Sequence, residues 1–387
     1  MIPYGRQDIS KEDIDAVIDV LHSDYLTQGP TIPRFEDAVA SYCGSAFGVA
    51  VNSATSALHI ACMALGLGKN DWLWTSPNTF VASANCALYC GAKVDFVDID
   101  PRTYNLCPKL LEKKLLNAEN EGILPKVVVP VHFAGQSCEM DKIYALSQKF
   151  GFKIIEDASH AIGSSFNRKK IGSCEYSDIT VFSFHPVKII TSGEGGMAMT
   201  NNQVLAEKMQ RFRVHGITTD KSLMHHRSVE EIWNYQQIEL GFNYRMTDIH
   251  AALGLSQLER LDEFVGRRNE IAKRYNQELQ TLPILTPWQL PQSYSSYHLY
   301  PIRINRENKS IIQKDVYEKL RAHDILVNVH YIPVHRQPYF ESMGFKVGDF
   351  PESEKFHQEV ISLPMFSALN DSGQDQVIST LLKIIKG

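Results

Sequence analysis

The chain has 387 residues, with 39 Lys and Arg against 44 Asp and Glu, a formal net charge of −5. Its 44 % hydrophobic and 21 % charged residues describe a folded globular protein long enough for two domains and exclude a disordered chain. A pI near 6.3 gives no basic excess for nucleic acid, and no apolar run reaches the roughly 18 residues of a membrane helix. The opening Met1-Ile2-Pro3-Tyr4-Gly5-Arg6-Gln7-Asp8 has no basic segment leading into an apolar one, so a cytoplasmic protein without nucleic-acid or membrane partners is expected.

A first helix is predicted from Ser10. Asp13 follows three residues later, and Ile14, Val17, Ile18 and Leu21 mark an apolar face. It ends near His22-Ser23, and Asp24-Tyr25-Leu26-Thr27-Gln28-Gly29-Pro30 reads as a loop. Cys86 and Cys90 stand four apart in an apolar segment, a spacing that puts both thiols on one buried helix face as packing residues. None of the seven cysteines forms a C-x-x-C, and no metal site is expected. Strands are predicted at Val94–Val97, Val127–Val131, Lys153–Ile155 and Ile179–Phe182, with helical patterns such as Lys142–Phe150 between them. That alternation predicts a mostly parallel sheet covered on both faces. One long amphipathic stretch runs from Thr247 to about Leu279, with Ile249, Leu253, Leu258 and Leu261 on its apolar side. The prolines of Thr281–Pro287 then break the chain. The expected division is a large α/β domain over 1–280 and a small α+β domain over 281–387, the latter opening on a strand at Tyr297–Ile302 and closing on a helix from Gln374 to Ile385.

Three segments carry candidate chemistry. In Ile154-Ile155-Glu156-Asp157 an apolar strand ends in an acid, which places Asp157 at the carboxyl edge of the sheet, where ligands bind in α/β folds. In Phe182-Ser183-Phe184-His185-Pro186-Val187-Lys188 another strand ends in a serine and a turn, then a lysine whose desolvation favours the nucleophilic neutral amine. In Asn52-Ser53-Ala54-Thr55-Ser56 small polar residues open a helix, and the N–H groups there suit a phosphate. Alone, each has a plain structural reading: a capping acid, a solvated lysine, a helix cap. In this order they make what pyridoxal phosphate requires: an anchor for the phosphate, a carboxylate that keeps the pyridine nitrogen protonated, and a lysine for the aldehyde.

Across nearly the whole chain the sequence resembles the DegT/DnrJ/EryC1/StrS sugar aminotransferases, which have the aspartate-aminotransferase-like fold (fold type I). The matching motifs include Leu26–Pro30, Ser53–Leu58, Ser76–Phe80, Glu156–Ala161, Phe182–Lys188, Gly193–Gly196 and Gly241–Asp248. The resemblance implies that Lys188 holds the cofactor aldehyde and that Asp157 pairs with the pyridinium nitrogen. Phe80 and Ala158 would lie on the two ring faces. Ala54, Thr55, Ser56 and Ser183 would hold the phosphate, with Asn243 reaching it from the other subunit of a homodimer. His160 would face the ring hydroxyl where the family commonly has Gln, and Ala54 stands where the family commonly has Gly, so the loop must avoid positive φ. A narrower resemblance, carried by Ser183–Thr191 and Val327–His335, is to the branch acting on UDP-4-keto-6-deoxy-N-acetyl-altrosamine in pseudaminic acid biosynthesis. It implies a nucleotide-sugar pocket lined by Tyr4, by Asp24, Tyr25, Leu26 and Thr27, and by Asn328, Val329, His330 and Tyr331, with glutamate as amino donor. Arg245 could balance a carboxylate or a phosphate, or form a structural ion pair.

Overall fold

The computed structural model describes residues 1–225, 231–304 and 312–386. Ser10 caps helix α1 (Lys11–Leu21) through a reciprocal box with Asp13. The Asp13 carboxylate also accepts bonds from Ser256, Gln257 and Arg260 at 2.6–2.7 Å. This polar anchor sets the rotation of the helix and overrides its apolar periodicity. Asp13 and Val20 are buried, whereas Ile14, Ile18 and Leu21 stay 41–54 % exposed. The apolar stripe read from the sequence is real, but the described residues leave it largely uncovered. Helix α2 (Thr31–Cys43) follows, and Gly44 ends it in the left-handed region.

The central sheet has the order β1-β9-β8-β5-β4-β2-β3 among the described residues. Its first strands are β1 (Phe47–Val51), β2 (Trp72–Thr75), β3 (Lys93–Phe96), β4 (Val127–Val129) and β5 (Lys153–Asp157). A two-residue hairpin, β6 (Ser165–Phe166) and β7 (Lys169–Lys170), lies outside it, and β8 (Ile179–Ser183) and β9 (Gly196–Thr200) complete it. Only β9 runs against the rest, pairing antiparallel with both β1 and β8. Residues of β4, β8 and β9 are all buried, as strands covered on both faces must be. Alternate residues feed two cores: Val128, Ile154, Phe182 and Met197 on one face, Val127, Ile155, Val181 and Ala198 on the other. This is the mostly parallel α/β sheet expected from the sequence.

Between β1 and β2 lies α3 (Ala54–Ala64), and after β2 comes α4 (Ala82–Tyr89). Cys86 is fully buried on α4, but Cys90 is its half-exposed C-cap, because the helix ends one residue before it. The long stretch after Thr247 is two helices, Asp248–Glu259 and Leu261–Leu279, parted at Arg260. The first buries Ala251, Ala252 and Gly254 rather than Ile249, Leu253 and Leu258. Small residues are needed there because Phe35 of α2 presses against it: a Cβ on Gly254 would lie 2.7 Å from the Phe35 ring.

A three-stranded antiparallel sheet, Ile284–Leu285, Tyr300–Ile304 and Val360–Leu363, forms the smaller C-terminal part. Its core joins Ile302, Leu320, Val377 and Leu381 with Ile271, Tyr275 and Leu279 from the preceding helix. The strand expected at Tyr297 begins only at Tyr300, because Tyr297 turns the chain at φ +46°. Ile2 pairs with Ile325, and the Tyr4 carbonyl accepts the Met365 N–H at 3.0 Å, which ties the N-terminal segment to this part. Among the described residues no helix is long and apolar enough to cross a membrane.

Candidate active site

The carboxyl ends of β1, β5 and β8 and the start of the reversed β9 meet at one edge of the sheet, as their pairing requires. A cavity of about 700 Å³ opens there. Ser53 caps α3 by accepting the Ser56 N–H at 3.2 Å, and the Ser56 hydroxyl donates to Asn52 Oδ1 at 2.7 Å. The first-turn N–H groups of Ala54 and Thr55 have no acceptor inside the helix, and their residues line the cavity. Ala54 avoids the left-handed region, so alanine is accommodated without strain. Gly196, at the start of β9, lets the strand pass under this turn: a Cβ there would lie 2.4 Å from the Ala54 nitrogen.

Asp157 ends β5 nearly buried, with its carboxylate in the cavity wall. Its Oδ2 accepts the Ser83 hydroxyl at 2.6 Å and its Oδ1 accepts the Ser159 N–H at 3.0 Å, leaving further lone pairs for a ligand. Strand alternation sends Glu156 to the opposite face. There it meets His132 at 2.6 Å, Ser177 at 2.5 Å and Thr180 at 3.1 Å, a buried structural network.

Lys188 sits on the loop between β8 and β9. Phe184 closes this loop, donating its N–H to Gly195 at 2.9 Å and accepting the Ser192 N–H at 3.0 Å. The lysine lines the same cavity. Burial brings its amine down to about 8, with nearby Asp157 partly opposing the change. A free amine is thus accessible near neutral pH. Ser183, at the end of β8, completes this wall.

On the opposite side stand Tyr4, Asn328, Val329, His330 and Tyr331. The Tyr4 and His330 ring centroids are 5.5 Å apart, and His330 Nδ1 lies 2.9 Å from the Ser362 hydroxyl. Burial pushes His330 down to about 3, so this ring is neutral. Phe80 is 60 % exposed at the rim, 6.4 Å from the Tyr331 ring. His160 Nε2 is 3.1 Å from the Tyr331 hydroxyl, and burial holds the imidazole neutral.

Not every candidate residue reaches this cavity. Ala158 is buried in the core beneath it and is not among its lining residues. Asp24, Tyr25 and Leu26 are exposed, Thr27 pairs with Thr247, and Leu26 accepts the Asp248 N–H at 3.0 Å. Asn243 is exposed and pairs with Val214. All five lie outside the cavity of a single chain. Arg245 lines a separate cavity of about 310 Å³ with Glu36 and Arg213. The sequence alone assigns no site role to Ser83, Val131, Glu194 or His298. Ser83 fixes Asp157, and the other three line the site.

Comparison with known proteins settles the family. Residues 7–382 match the sequence profile of the DegT/DnrJ/EryC1/StrS aminotransferases. The chain belongs to that family. It is a sugar aminotransferase that depends on pyridoxal phosphate, with fold type I. It is 37 % identical to the spore coat polysaccharide biosynthesis protein SpsC of Bacillus subtilis, over all of this chain and 97 % of that protein. It is 36 % identical to the UDP-4-amino-4,6-dideoxy-N-acetyl-beta-L-altrosamine transaminase of Campylobacter jejuni, over all of this chain and 98 % of that one. The solved structure of PseC from Helicobacter pylori, an aminotransferase involved in pseudaminic acid biosynthesis, superposes with a TM-score of 0.89 at 32 % identity, covering all of this chain and 99 % of that one. The residues at the sheet edge fit the cofactor. First-turn amides over a glycine-floored cradle suit its phosphate, Asp157 its ring nitrogen, and the Lys188 amine its aldehyde.

Proposed function

We propose that this enzyme transfers an amino group from glutamate to the 4-keto carbon of a UDP-linked 6-deoxy-N-acetyl sugar, the ketone that precedes UDP-4-amino-4,6-dideoxy-N-acetyl-altrosamine in pseudaminic acid biosynthesis. The observation that carries the reading is the placement of the Lys188 amine and the Asp157 carboxylate in one cavity with the start of α3. Opposite them are an aromatic and imidazole wall from Tyr4 and Asn328–Tyr331. When bound, pyridoxal phosphate supplies the electron sink that lets the amino group leave one carbon and join another.

The chain's own residues do the rest. The N–H groups of Ala54 and Thr55, together with the Ser183 hydroxyl, hold the phosphate. Asp157 holds the proton on the ring nitrogen, oriented by Ser83 and the Ser159 amide. His160 donates to the ring oxygen, and Phe80 closes one side of the ring. Lys188, once its amine is free, carries the proton between the donor or sugar carbon and the neighbouring cofactor carbon. Tyr4 and His330 offer ring faces and donors to the nucleotide, with Asn328, Val329 and Tyr331 beside them.

Asn243 and the Asp24–Thr27 loop act from the second subunit of a homodimer. Their position on the surface, away from this chain's own cavity, and the uncovered Ile14, Ile18 and Leu21 of α1 favour this reading. A mixing experiment tests it. Lys188→Ala and Asn243→Ala dimers, each defective alone, are dissociated and reassociated together. About a quarter of wild-type activity should return, because half of the dimers are hybrids with one intact site of two. No recovery would mean that both residues serve the same chain's site.

The substrate is tested by offering UDP- and dTDP-linked 4-keto sugars with glutamate and identifying products by mass spectrometry and NMR. The expected result is preferential amination of the UDP-linked N-acetyl ketone at C4. Equal or better turnover of a dTDP sugar would overturn the substrate assignment. The Lys188 amine also makes a pH prediction. Because burial brings it to about 8, the rate at which apoenzyme captures the cofactor should climb from about pH 7 and level off above about pH 9. A climb centred near the ordinary lysine value of about 10.4 would mean that the amine is solvated.

A further inference from the structure

The C-terminal part sends one more imidazole into the site. His298 lines the cavity, is 4 % exposed, and meets the His160 ring in a tilted contact with centroids 4.3 Å apart at 41°. Its backbone is clamped. The buried Arg268 guanidinium donates from Nη1 to the carbonyls of Tyr297 at 3.2 Å, His298 at 3.4 Å and Met365 at 2.9 Å. Ser296, two residues before His298, donates its hydroxyl to the His160 carbonyl at 3.0 Å. One turn of chain therefore fixes both imidazoles relative to each other.

The hydrogen bonds assign the tautomers. His160 Nδ1 accepts the Ala134 N–H at 3.3 Å, so the neutral ring carries its hydrogen on Nε2, where it meets the Tyr331 hydroxyl at 3.1 Å and is shared with the cofactor oxygen when the site is filled. His298 Nδ1 is buried without a partner. A bare lone pair is tolerated in such a place better than an orphaned N–H, so this ring too carries its hydrogen on Nε2. That nitrogen is not among the buried unpaired atoms and makes no bond within the described residues, so it faces the cavity. Burial first, then the positive charges of Lys188 and Arg268, keep His298 neutral. A purely structural position gains nothing from an imidazole with one nitrogen unsatisfied; an apolar ring would pack there at lower cost.

We propose that His298 is a second N–H donor of the active site, bonding through Nε2 the same cofactor ring oxygen that His160 addresses. This rests on the cofactor placement proposed above. Two neutral donors on one oxygen favour its anionic form without adding charge beside the Lys188 amine. They lower the pH at which the bound cofactor loses its proton and its visible band changes.

The test is a spectroscopic pH titration of the cofactor-loaded enzyme. His298→Phe keeps a ring of similar size but removes the donor, and should move the midpoint of the visible band upward by about half a pH unit or more. It should also speed loss of cofactor on dilution. His298→Gln, which restores an N–H donor, should return the midpoint toward wild type. An unchanged midpoint in His298→Phe would overturn the proposal. So would an equal displacement in His298→Gln, since the ring would then act by shape alone. If wild-type protein showed no visible band with pyridoxal phosphate at all, the cofactor placement would fail instead, and the two failures are distinguishable.

Discussion

Replacing Lys188 with alanine should reduce transamination by at least about 10³-fold, since the proposed mechanism makes the residue both the tether for the cofactor and the proton carrier. The fold should survive the change. The lysine lies on a loop closed at Phe184, Gly195 and Ser192 by backbone bonds of 2.9–3.0 Å, none of which involves its side chain. Far-ultraviolet circular dichroism and the thermal midpoint should therefore match wild type, while the yellow colour of the loaded enzyme is lost. The pyridoxamine form of the cofactor, which needs no covalent tether, should still bind. A variant that retains more than about a tenth of wild-type turnover would be incompatible with a proton carrier at this position.

Asp157→Asn should be nearly as damaging, at about 10²–10³-fold in kcat, the size expected when one preorganised electrostatic contact of an active site is removed. The substitution keeps the shape of the side chain, and the amide oxygen can still accept either Ser83 or Ser159. What it loses is the negative charge that, in the proposed mechanism, faces the cofactor's ring nitrogen; without it that nitrogen would give up its proton and the ring would no longer draw electrons. Asp157→Ala would add a second cost, because the Ser83 hydroxyl and the Ser159 N–H would each be left without the acceptor they now have at 2.6 and 3.0 Å. Each such loss is worth about 1–3 kcal/mol in a buried site. The asparagine variant should therefore melt close to wild type and the alanine variant well below it. Similar melting of the two, with similar activity, would show that the carboxylate only supports the loop.

Much of the site could be read from the sequence because its residues stand at the ends of strands. A run of apolar residues that stops at Asp157 or at Ser183 says where the side chain must lie, since a parallel sheet puts all such ends on one edge. The cap at Ser53 was legible for a similar reason, being a local pattern with a local consequence. What stayed hidden depends on partners far away in the chain. His298 is held by Arg268 and reaches His160, and nothing in Tyr297-His298-Leu299 foretells either neighbour. Ser83 looked like one small residue among several in an alanine-rich helix until it proved to donate to Asp157.

Helix faces were the other weak point. Amphipathic spacing correctly showed that α1 has an apolar stripe, but Asp13 buries itself instead. The same spacing runs unbroken across Arg260, where one helix ends and the next begins. Periodicity reports that an apolar face exists, not what covers it.

The reversed direction of β9 has a mechanical consequence. Both arms of the lysine loop grow out of strands in the middle of the sheet, β8 between β5 and β9, and β9 between β1 and β8. The loop thus has no edge from which it could peel away. Dislodging it would require unzipping interior ladders on both sides, among the costliest local openings a sheet can undergo. The wall formed by Asn328–Tyr331 is fastened to the smaller sheet where Asn328 pairs with Ser362, to the N-terminal segment where the Tyr4 and His330 rings meet, and to the frame where the Tyr331 hydroxyl reaches His160. The amine is thereby held in the frame of the large sheet, while Tyr4, His298 and Asn328–Tyr331 close the cavity from the other side, so the pocket is complete only once the C-terminal part has folded onto that frame.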